Sequence, residues 1–370
     1  MAVNLITSPT TPISIDDEIQ WQVQITDLGT PGTDRKTIGY QLYDNAAGSD
    51  MTEVREINPA NTSIQPVISF RNEFYKMRTV LPSFFSAAMQ DGKGLMKLKL
   101  KYGELVHTFA TGLTTGIPLA GASAEVVIIN SAVLNPNSFE ALPATFLMTK
   151  KLSVNRYDAT SVDWIYGYGA VVVEIKDHTG TTVSTQTGTA GMVNIFPIGA
   201  AHFVALQSIP YYTVNITAAD LSYTYTFKRC AANTDLPLQI IYLDPNGGYT
   251  AMTFSDVDTG IESEKEKVQT YRKSVTNSNI NTYLTEGGAQ LMNAKGYPTY
   301  NFELRTSLTK DNNDVITRML MSENYYIVNE HYQFVKFQVT ESQSIKEGLN
   351  TRIRISGRLA NPLTSAINSL

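Results

Sequence analysis

The sequence predicts a mainly β protein: two or three β-sandwich or jelly-roll-like domains, with one or two short helices in the C-terminal third. Three observations carry this expectation. Apolar residues recur with period two along several stretches, which places one set of side chains on one face of a sheet. Charged residues make up only 17% of the chain, against roughly 25% in an average soluble domain. Thr, Ser, Asn and Gln take their place, and these suit pleated surfaces and turns. The aromatic residues are mostly strand formers, 20 Tyr and 14 Phe against 2 Trp. A chain of 370 residues buries roughly 75% of its unfolded surface, so its core needs no disulfide or metal.

Residues 1–12 are rich in Thr and Pro and are expected to form an N-terminal arm. An N-terminal β domain is expected over 13–133. Its clearest strand has Ile19, Trp21, Val23 and Ile25 alternating with Gln20, Gln22 and Gln24, and Thr30-Pro31-Gly32-Thr33-Asp34 follows as turn chemistry. Met96, Leu98, Leu100 and Tyr102 alternate with Lys97, Lys99 and Lys101, a strand with a basic outer face. Between these two, 64–89 carries Phe70, Phe74, Tyr75, Phe84 and Phe85 and is ambiguous, because Pro82 interrupts any helix there. The longest apolar run, from Ala124 to Ile129, is expected as a buried strand, and Asn135-Pro136-Asn137-Ser138 as a boundary.

A middle β-sandwich is expected over 141–231. Ala170 to Lys176 and Thr181 to Thr185 flank Asp177-His178-Thr179-Gly180, a hairpin signature with Gly available for a positive φ. Tyr212, Val214 and Ile216 alternate with polar residues. Leu221, Tyr223, Tyr225 and Phe227 do the same, and this row is expected to face the sandwich core. A C-terminal β domain is expected over 232–370. It opens on the run Leu238 to Leu243, turns at Asp244-Pro245-Asn246-Gly247-Gly248 and resumes at Tyr249 to Phe254, with Asn246-Gly247 as a tight tip. Val315, Ile316, Met319 and Leu320 make an apolar helical stripe near 312–321, with Asp311 or Asn312 as cap. A shorter helix is expected at Ala289 to Asn293. Strands then close the chain at Tyr325 to Val328, Val335 to Thr340 and Thr351 to Ser356.

Charge and motif content exclude several function classes. A net charge of −5 with no basic block does not provide the dense cationic face of a sequence-independent nucleic-acid binder. Cys230 is the single cysteine, so no internal disulfide forms, in keeping with assembly in a reducing cytoplasm. Met1 to Asp16 has neither the basic start nor the apolar core of a signal peptide, and no apolar run reaches transmembrane length. Gly121-Ala122-Ser123-Ala124 lacks the second glycine of a nucleophile elbow, and Ser123 reads as a strand-entry residue. No two of His107, His178, His202 and His331 have zinc-ligand spacing. Asp244 to Gly248 and Asp256-Val257-Asp258-Thr259-Gly260 carry alternating oxygen ligands but no closing Glu, and turn geometry is preferred over calcium. Gly167-Tyr168-Gly169 is too short for a nucleotide loop. Paired carboxylates for glycoside hydrolysis meet only in the fold. Trp164, Tyr166 and Tyr168 read as core or subunit interface before a sugar-stacking platform. No catalytic, cofactor-binding or metal residue is therefore assigned.

From Cys230 through Pro237 to Leu243, then Asp-Pro-Asn-Gly-Gly, Tyr249-Thr250-Ala251-Met252-Thr253-Phe254 and the charged stretch Glu262 to Lys267, the order of features resembles tail-associated structural proteins of phages infecting Bacteroidota, including crAss-like phages. The resemblance covers about residues 140 to 360. Leu243-Asp244 stands where those relatives often have Leu-Asn, a mild departure because Asp makes the same local turn bonds. The resemblance implies a non-enzymatic virion protein without cofactors, assembled in the host cytoplasm as a tail ring, collar or hub subunit. Its implied partners are copies of itself in a closed ring and other tail or portal proteins, without specific nucleic-acid binding or membrane insertion. A receptor- or glycan-binding tail-fibre-type β protein is the alternative, and a polysaccharide depolymerase the third.

One stretch is singled out as a subunit interface. As a strand, Glu262, Glu264 and Glu266 fall on one face and Lys265 and Lys267 on the other. A helix would mix the same charges around its surface. The strand is preferred because a hairpin precedes it.

Overall fold

The computed structural model describes residues 3–14, 19–70, 81–83, 86–129, 143–219, 221–230, 239–269, 290–328, 334–360 and 363–364, with the side chains of 263–269, 290–296 and 363–364 outside that set. The chain is mainly β, with several sheets and a single α-helix among the described residues. It divides into two units. One comprises Met1–Arg229 with Leu243–Thr250, the other Cys230–Tyr242 with Ala251–Leu370.

The first unit contains two sandwiches. In the first of them, Gln20–Ile25 lies between Val3–Thr7 and Val67–Ser69. The facing sheet runs Ile13–Ser14, Val126–Ile129, Leu95–Thr108, Asp34–Asp44 and Ser49–Asp50. Ile19, Trp21, Val23 and Ile25 are buried to the last residue and pack with Ile38, Leu42, Leu98, Leu100 and Ile128. The period-two pattern therefore marks its core face as the sequence predicts. Ser123 has a structural role here: its hydroxyl accepts from Leu100 N (2.9 Å) and donates to Ala124 O (2.8 Å).

The N-terminal arm is corrected over part of its length. Val3–Thr7 pairs antiparallel with Gln20–Ile25, from Val3↔Ile25 onward, and Val3 is buried. The Thr- and Pro-rich composition belongs to residues 7–12, whereas Val3–Thr7 reads Val-Asn-Leu-Ile-Thr and supplies β-forming side chains to the sheet. Phe74, Tyr75, Phe84, Phe85 and the 135–138 boundary lie outside the described residues.

The second sandwich sets Phe146–Leu147, Trp164–Tyr168, Val193–Pro197 and Gln90–Asp91 against a five-stranded sheet. That sheet runs Val154–Tyr157, Leu221–Arg229, Tyr211–Ala218, Val172–Lys176 and Thr182–Thr187. Residues 90–91 thus lend a short strand to a sheet built otherwise from 146–197, pairing Asn194↔Asp91 and Ile195↔Gln90. The core holds an aromatic stack. Tyr212 lies parallel to Phe227 at 4.7 Å and edge-on to Tyr157 at 4.8 Å. The buried hydroxyls are satisfied, Tyr212 donating to Ile198 O (3.1 Å) and Tyr157 to Ile209 O (2.6 Å). The row on Leu221–Arg229 is only partly a core row. Tyr225 and Phe227 are buried, Tyr223 is half-buried and Leu221, at the hairpin end of the strand, is 59% exposed.

The two Asp-x-x-Gly hairpins share one turn. In 177–181, Gly180 N donates to Asp177 O and Asp177 N to Thr181 O. In 244–248, Gly247 N donates to Asp244 O and Asp244 N to Gly248 O. Gly180 (φ 85°) and Gly247 (φ 94°) take the left-handed position that closes the turn.

The second unit carries most of one long sheet, which runs Tyr249–Thr253, Gln239–Leu243, Tyr325–Val328, Phe334–Glu347, Asn350–Leu359, Gln290–Ser307 and Asp256–Gln269. Phe302, buried, meets Phe254 at 5.2 Å and Phe337 at 5.7 Å. The helix Lys310–Leu320 buries Val315, Ile316 and Met319, as its stripe predicts. Its cap is Thr309, whose hydroxyl accepts from Asn312 N (3.2 Å), and neither Asp311 nor Asn312. Asn312 is buried instead, its side chain donating to Ser307 O at 3.0 Å. The short helix at Ala289 to Asn293 is also corrected: Ala289 lies outside the described residues, and from Gln290 the backbone is a strand, paired through Gln269↔Gln290 and Lys267↔Met292. Fourteen consecutive cross-strand pairs outweigh a weak local helical preference.

Candidate functional site

The stretch singled out in the sequence is a strand and not a helix. Asp256–Gln269 pairs with Gln290–Ser307 through Glu262↔Tyr297, Glu264↔Lys295, Lys265↔Ala294, Glu266↔Asn293 and Lys267↔Met292. It is the last strand of its sheet, so among the described residues its outer backbone groups meet no further strand. A long unpaired edge is a template for another chain, and charged side chains along it restrict which chain can add. Glu262 is exposed and accepts from Arg358 (3.4 Å), whose guanidinium lies 4.5 Å from the centre of the Tyr297 ring. The side chains of Glu264, Lys265, Glu266 and Lys267 lie outside the described set.

A second exposed feature is the first strand and turn of the hairpin formed by Phe334–Glu347 and Asn350–Leu359, whose second strand stays paired with Gln290–Ser307 up to Ser307↔Asn350. Residues 341–350 are exposed along its distal part, and Leu349 at the tip is 88% exposed. Near the base of the two ribbons, a polar depression is lined by Asp256, Asp258, Asn301, Glu303, Glu341 and Arg354. The stretch 256–260, expected as a turn, is the start of the strand Asp256–Gln269, and its period of two sets Asp256 and Asp258 on one face, toward this depression. Glu303 is engaged by arginines, reaching Arg354 at 3.2 Å and Arg352 at 3.9 Å. Among the described residues no three His, Cys, Asp or Glu side chains form a metal-binding group, and no helix is long and apolar enough to cross a membrane.

The other residues weighed in the sequence fall mostly into the core. Trp164, Tyr166 and Tyr168 are buried, so they offer no sugar-stacking face. His107 sits between Glu56 (2.9 Å) and the hydroxyls of Thr37 (3.2 Å) and Thr114 (2.9 Å). His202 packs near Trp164 with ring centres 5.5 Å apart. His178 lies at the tip of its hairpin, 6.2 Å from the Tyr211 ring. His331 lies outside the described residues.

One constellation escaped the sequence reading. Lys151 and Asp163 form a direct ion pair inside the first unit, at 3% and 5% exposure. Trp164 N donates to the same carboxyl at 2.8 Å. Asp244, 1% exposed, adds a second carboxyl acting on the Lys151 ammonium. Desolvation is the largest influence on Lys151 and pulls its pKa below the usual lysine value, against the attraction of Asp163 and Asp244. The Asp244 turn is held close: a Cβ on Gly248 would come within 2.5 Å of Thr149 Cγ2 and 2.6 Å of Tyr166 Cβ. Sequence offered only a faint signal, a lysine and an aspartate each beside residues that read as buried. Their meeting across 12 positions depends on the fold.

No family model matches the chain, and no curated protein matches it. Among solved structures, the chain is similar over 63% of its length to a biofilm-associated protein (BSP domain), at 12% identity and a TM-score of 0.17, spanning 30% of that chain. It is similar over 81% of its length to 92% of extracellular domains 3–5 of Drosophila OTK, at 10% identity and a TM-score of 0.26. Over 62% of its length it is similar to the whole (100%) of a chimeric titin Z1Z2-Z1Z2 tandem, at 10% identity and a TM-score of 0.16. Likenesses of this size carry no functional argument.

Proposed function

We propose that this chain is a virion structural protein, a subunit of a phage tail ring, collar or hub that acts by oligomerising and catalyses no reaction. The observation that carries the reading is the second unit's pair of long ribbons. A 14-residue strand ends the sheet, and beyond the intervening strand a hairpin is exposed over residues 341–350 with Leu349 at its tip. Extended ribbons of this kind gain little in an isolated chain, where exposed ion pairs contribute only about 0–1 kcal/mol. Between copies they gain a partner strand, and the charges on 262–267 fix register and discourage wrong partners. Head-to-tail repetition of one such contact closes into a ring. The glycan-binding alternative loses its aromatic row to the core.

The test is the assembly state of the purified chain and of a triple variant, Glu262→Lys, Glu264→Lys and Glu266→Lys. Mass photometry of the parent should give one closed oligomer, and the variant should stay folded by circular dichroism but remain monomeric. A folded variant that assembles like the parent removes the strand from the interface. A parent that stays monomeric and binds host polysaccharide on a glycan array supports the tail-fibre alternative, and release of reducing sugar supports the depolymerase.

A further inference from the structure

We propose that Lys151 and Asp163 become joined by an intramolecular amide bond after folding, with Asp244 as the proton carrier. The reacting atoms are already together: Lys151 Nζ contacts Asp163 Oδ1, and both side chains are buried. The pair sits among buried residues: Leu152, Val162 and Trp164 flank it in the chain, and Tyr212 is close enough to feel the Asp163 charge. A charged pair in such a place is poorly repaid, because the desolvation of two ions offsets their attraction. The amide made from the same atoms carries no charge and removes that penalty. Fixed contact also converts a bimolecular condensation into an intramolecular one, for which effective molarities reach about 10⁵–10⁸ M.

The step balances within the chain. The proton that Lys151 gives up neutralises the Asp163 carboxylate, leaving a free amine and a carboxylic acid with no change in net charge. The direction of the Lys151 shift supports this exchange, since burial favours the amine. The Nζ lone pair attacks Asp163 Cγ and forms the C–N bond. Trp164 N, 2.8 Å from Asp163 Oδ1, donates to the oxygen on which charge develops. The Asp244 carboxylate takes the surplus proton from Nζ and passes it to the departing hydroxyl. The C–O bond breaks, one water leaves, and Asp244 ends as it began. No oxidant, metal or nucleotide takes part.

The bond would close a loop of chain around the strand Val154–Tyr157. That strand is the edge of the five-stranded sheet and, among the described residues, pairs only in parallel, with Leu221–Arg229. Tied at both ends, it could not peel away under load or proteolysis.

The experiment is the intact mass of the full chain under denaturing conditions, followed by tandem mass spectrometry of a digest. The expected mass is lower than that of the sequence by one water, and the digest should contain a branched peptide linking Lys151 to Asp163. Lys151→Arg and Asp163→Ala should restore the mass of their sequences. Asp163→Asn should lose ammonia in place of water and converge on the parent's final mass. The branched peptide is read in the parent itself, so a variant that fails to fold does not cloud the result. A parent that keeps its full sequence mass after long incubation overturns the proposal and leaves a buried ion pair. So does a missing water mapped to any other residues. Asp244→Ala, folded by circular dichroism, should keep its full mass; if it condenses as fast as the parent, Asp244 is not the proton carrier.

Discussion

Replacing Phe227 by Ala tests the second sandwich where its packing is most specific. The ring is buried and lies parallel to Tyr212, interplanar angle 3°, at 4.7 Å between centres, and Tyr212 in turn meets Tyr157. Removing a buried Phe costs about 3–5 kcal/mol through lost transfer energy and the cavity left behind. Loss of the stacked pair lies partly inside that range and is worth about 0.5–1.5 kcal/mol by itself. Leu221, on the same strand and the same nominal face, is 59% exposed, so Leu221→Ala should stay within about 0.5 kcal/mol. Urea unfolding followed by tryptophan fluorescence provides the assay. Trp21 and Trp164 sit in the two sandwiches of the first unit, and a Trp21→Phe background leaves Trp164 as the local reporter. The expected outcome is a midpoint for Phe227→Ala far below that of Leu221→Ala. Equal midpoints would refute the assignment of the strand's inner end to the core and its outer end to solvent.

Gly247→Val should lower the melting temperature, because φ 94° is a left-handed conformation that costs an L-residue about 1–2 kcal/mol; an unchanged melting temperature would contradict the turn. The Tyr325 phenol is pushed up to about 12 by burial, and its hydroxyl donates to Met319 O at 2.6 Å. Between its unfolded value of 10.0 and about 12 the folded state holds a proton that the unfolded state has released, so stability should fall as pH rises through that window. Tyr325→Phe should flatten this alkaline limb in pH-dependent denaturation; an identical limb would assign it to other groups. A chelator should leave the thermal transition unchanged, and a drop reversed by calcium would restore the oxygens of 244–248 as ligands.

Much of the fold is legible in the sequence because sheets write their faces with period two. Gln20–Ile25, Tyr211–Ala218 and the apolar stripe of the helix could be assigned from spacing alone, as could the glycine turns. What could not be read is how far a partner sheet extends. Leu221 repeats in phase with Tyr225 yet lies in solvent, and the Thr- and Pro-rich run of residues 7–12 masks the short β-forming stretch Val3–Thr7 that precedes it. Helix capping at Thr309 was missed by one turn chemistry competing with another: Asp311 and Asn312 are also cap formers, but the buried amide of Asn312 is used on Ser307. The candidate interface was legible as a strand because a hairpin precedes it, while its charges alone fit a helix as well. The Lys151, Asp163 and Asp244 cluster was not, since three single residues far apart in sequence carry no periodic signal.

The membership of Leu243–Thr250 in the first unit has a practical consequence for dissecting the molecule. The two units are distinct in their contacts but not contiguous in the gene. A fragment ending at Arg229 lacks the turn that covers Thr149 and Tyr166 and brings Asp244 to Lys151, so it uncovers apolar surface and removes a buried carboxyl at once. A fragment beginning at Cys230 carries that turn away from the residues it packs on. Shears placed at the apparent boundary therefore injure the first unit twice, and deletion phenotypes near residue 230 report on the buried lysine as much as on the loss of a domain. Any divided version of the protein must return those eight residues to the first half, by permutation or by a grafted hairpin, before its behaviour can be assigned to either part.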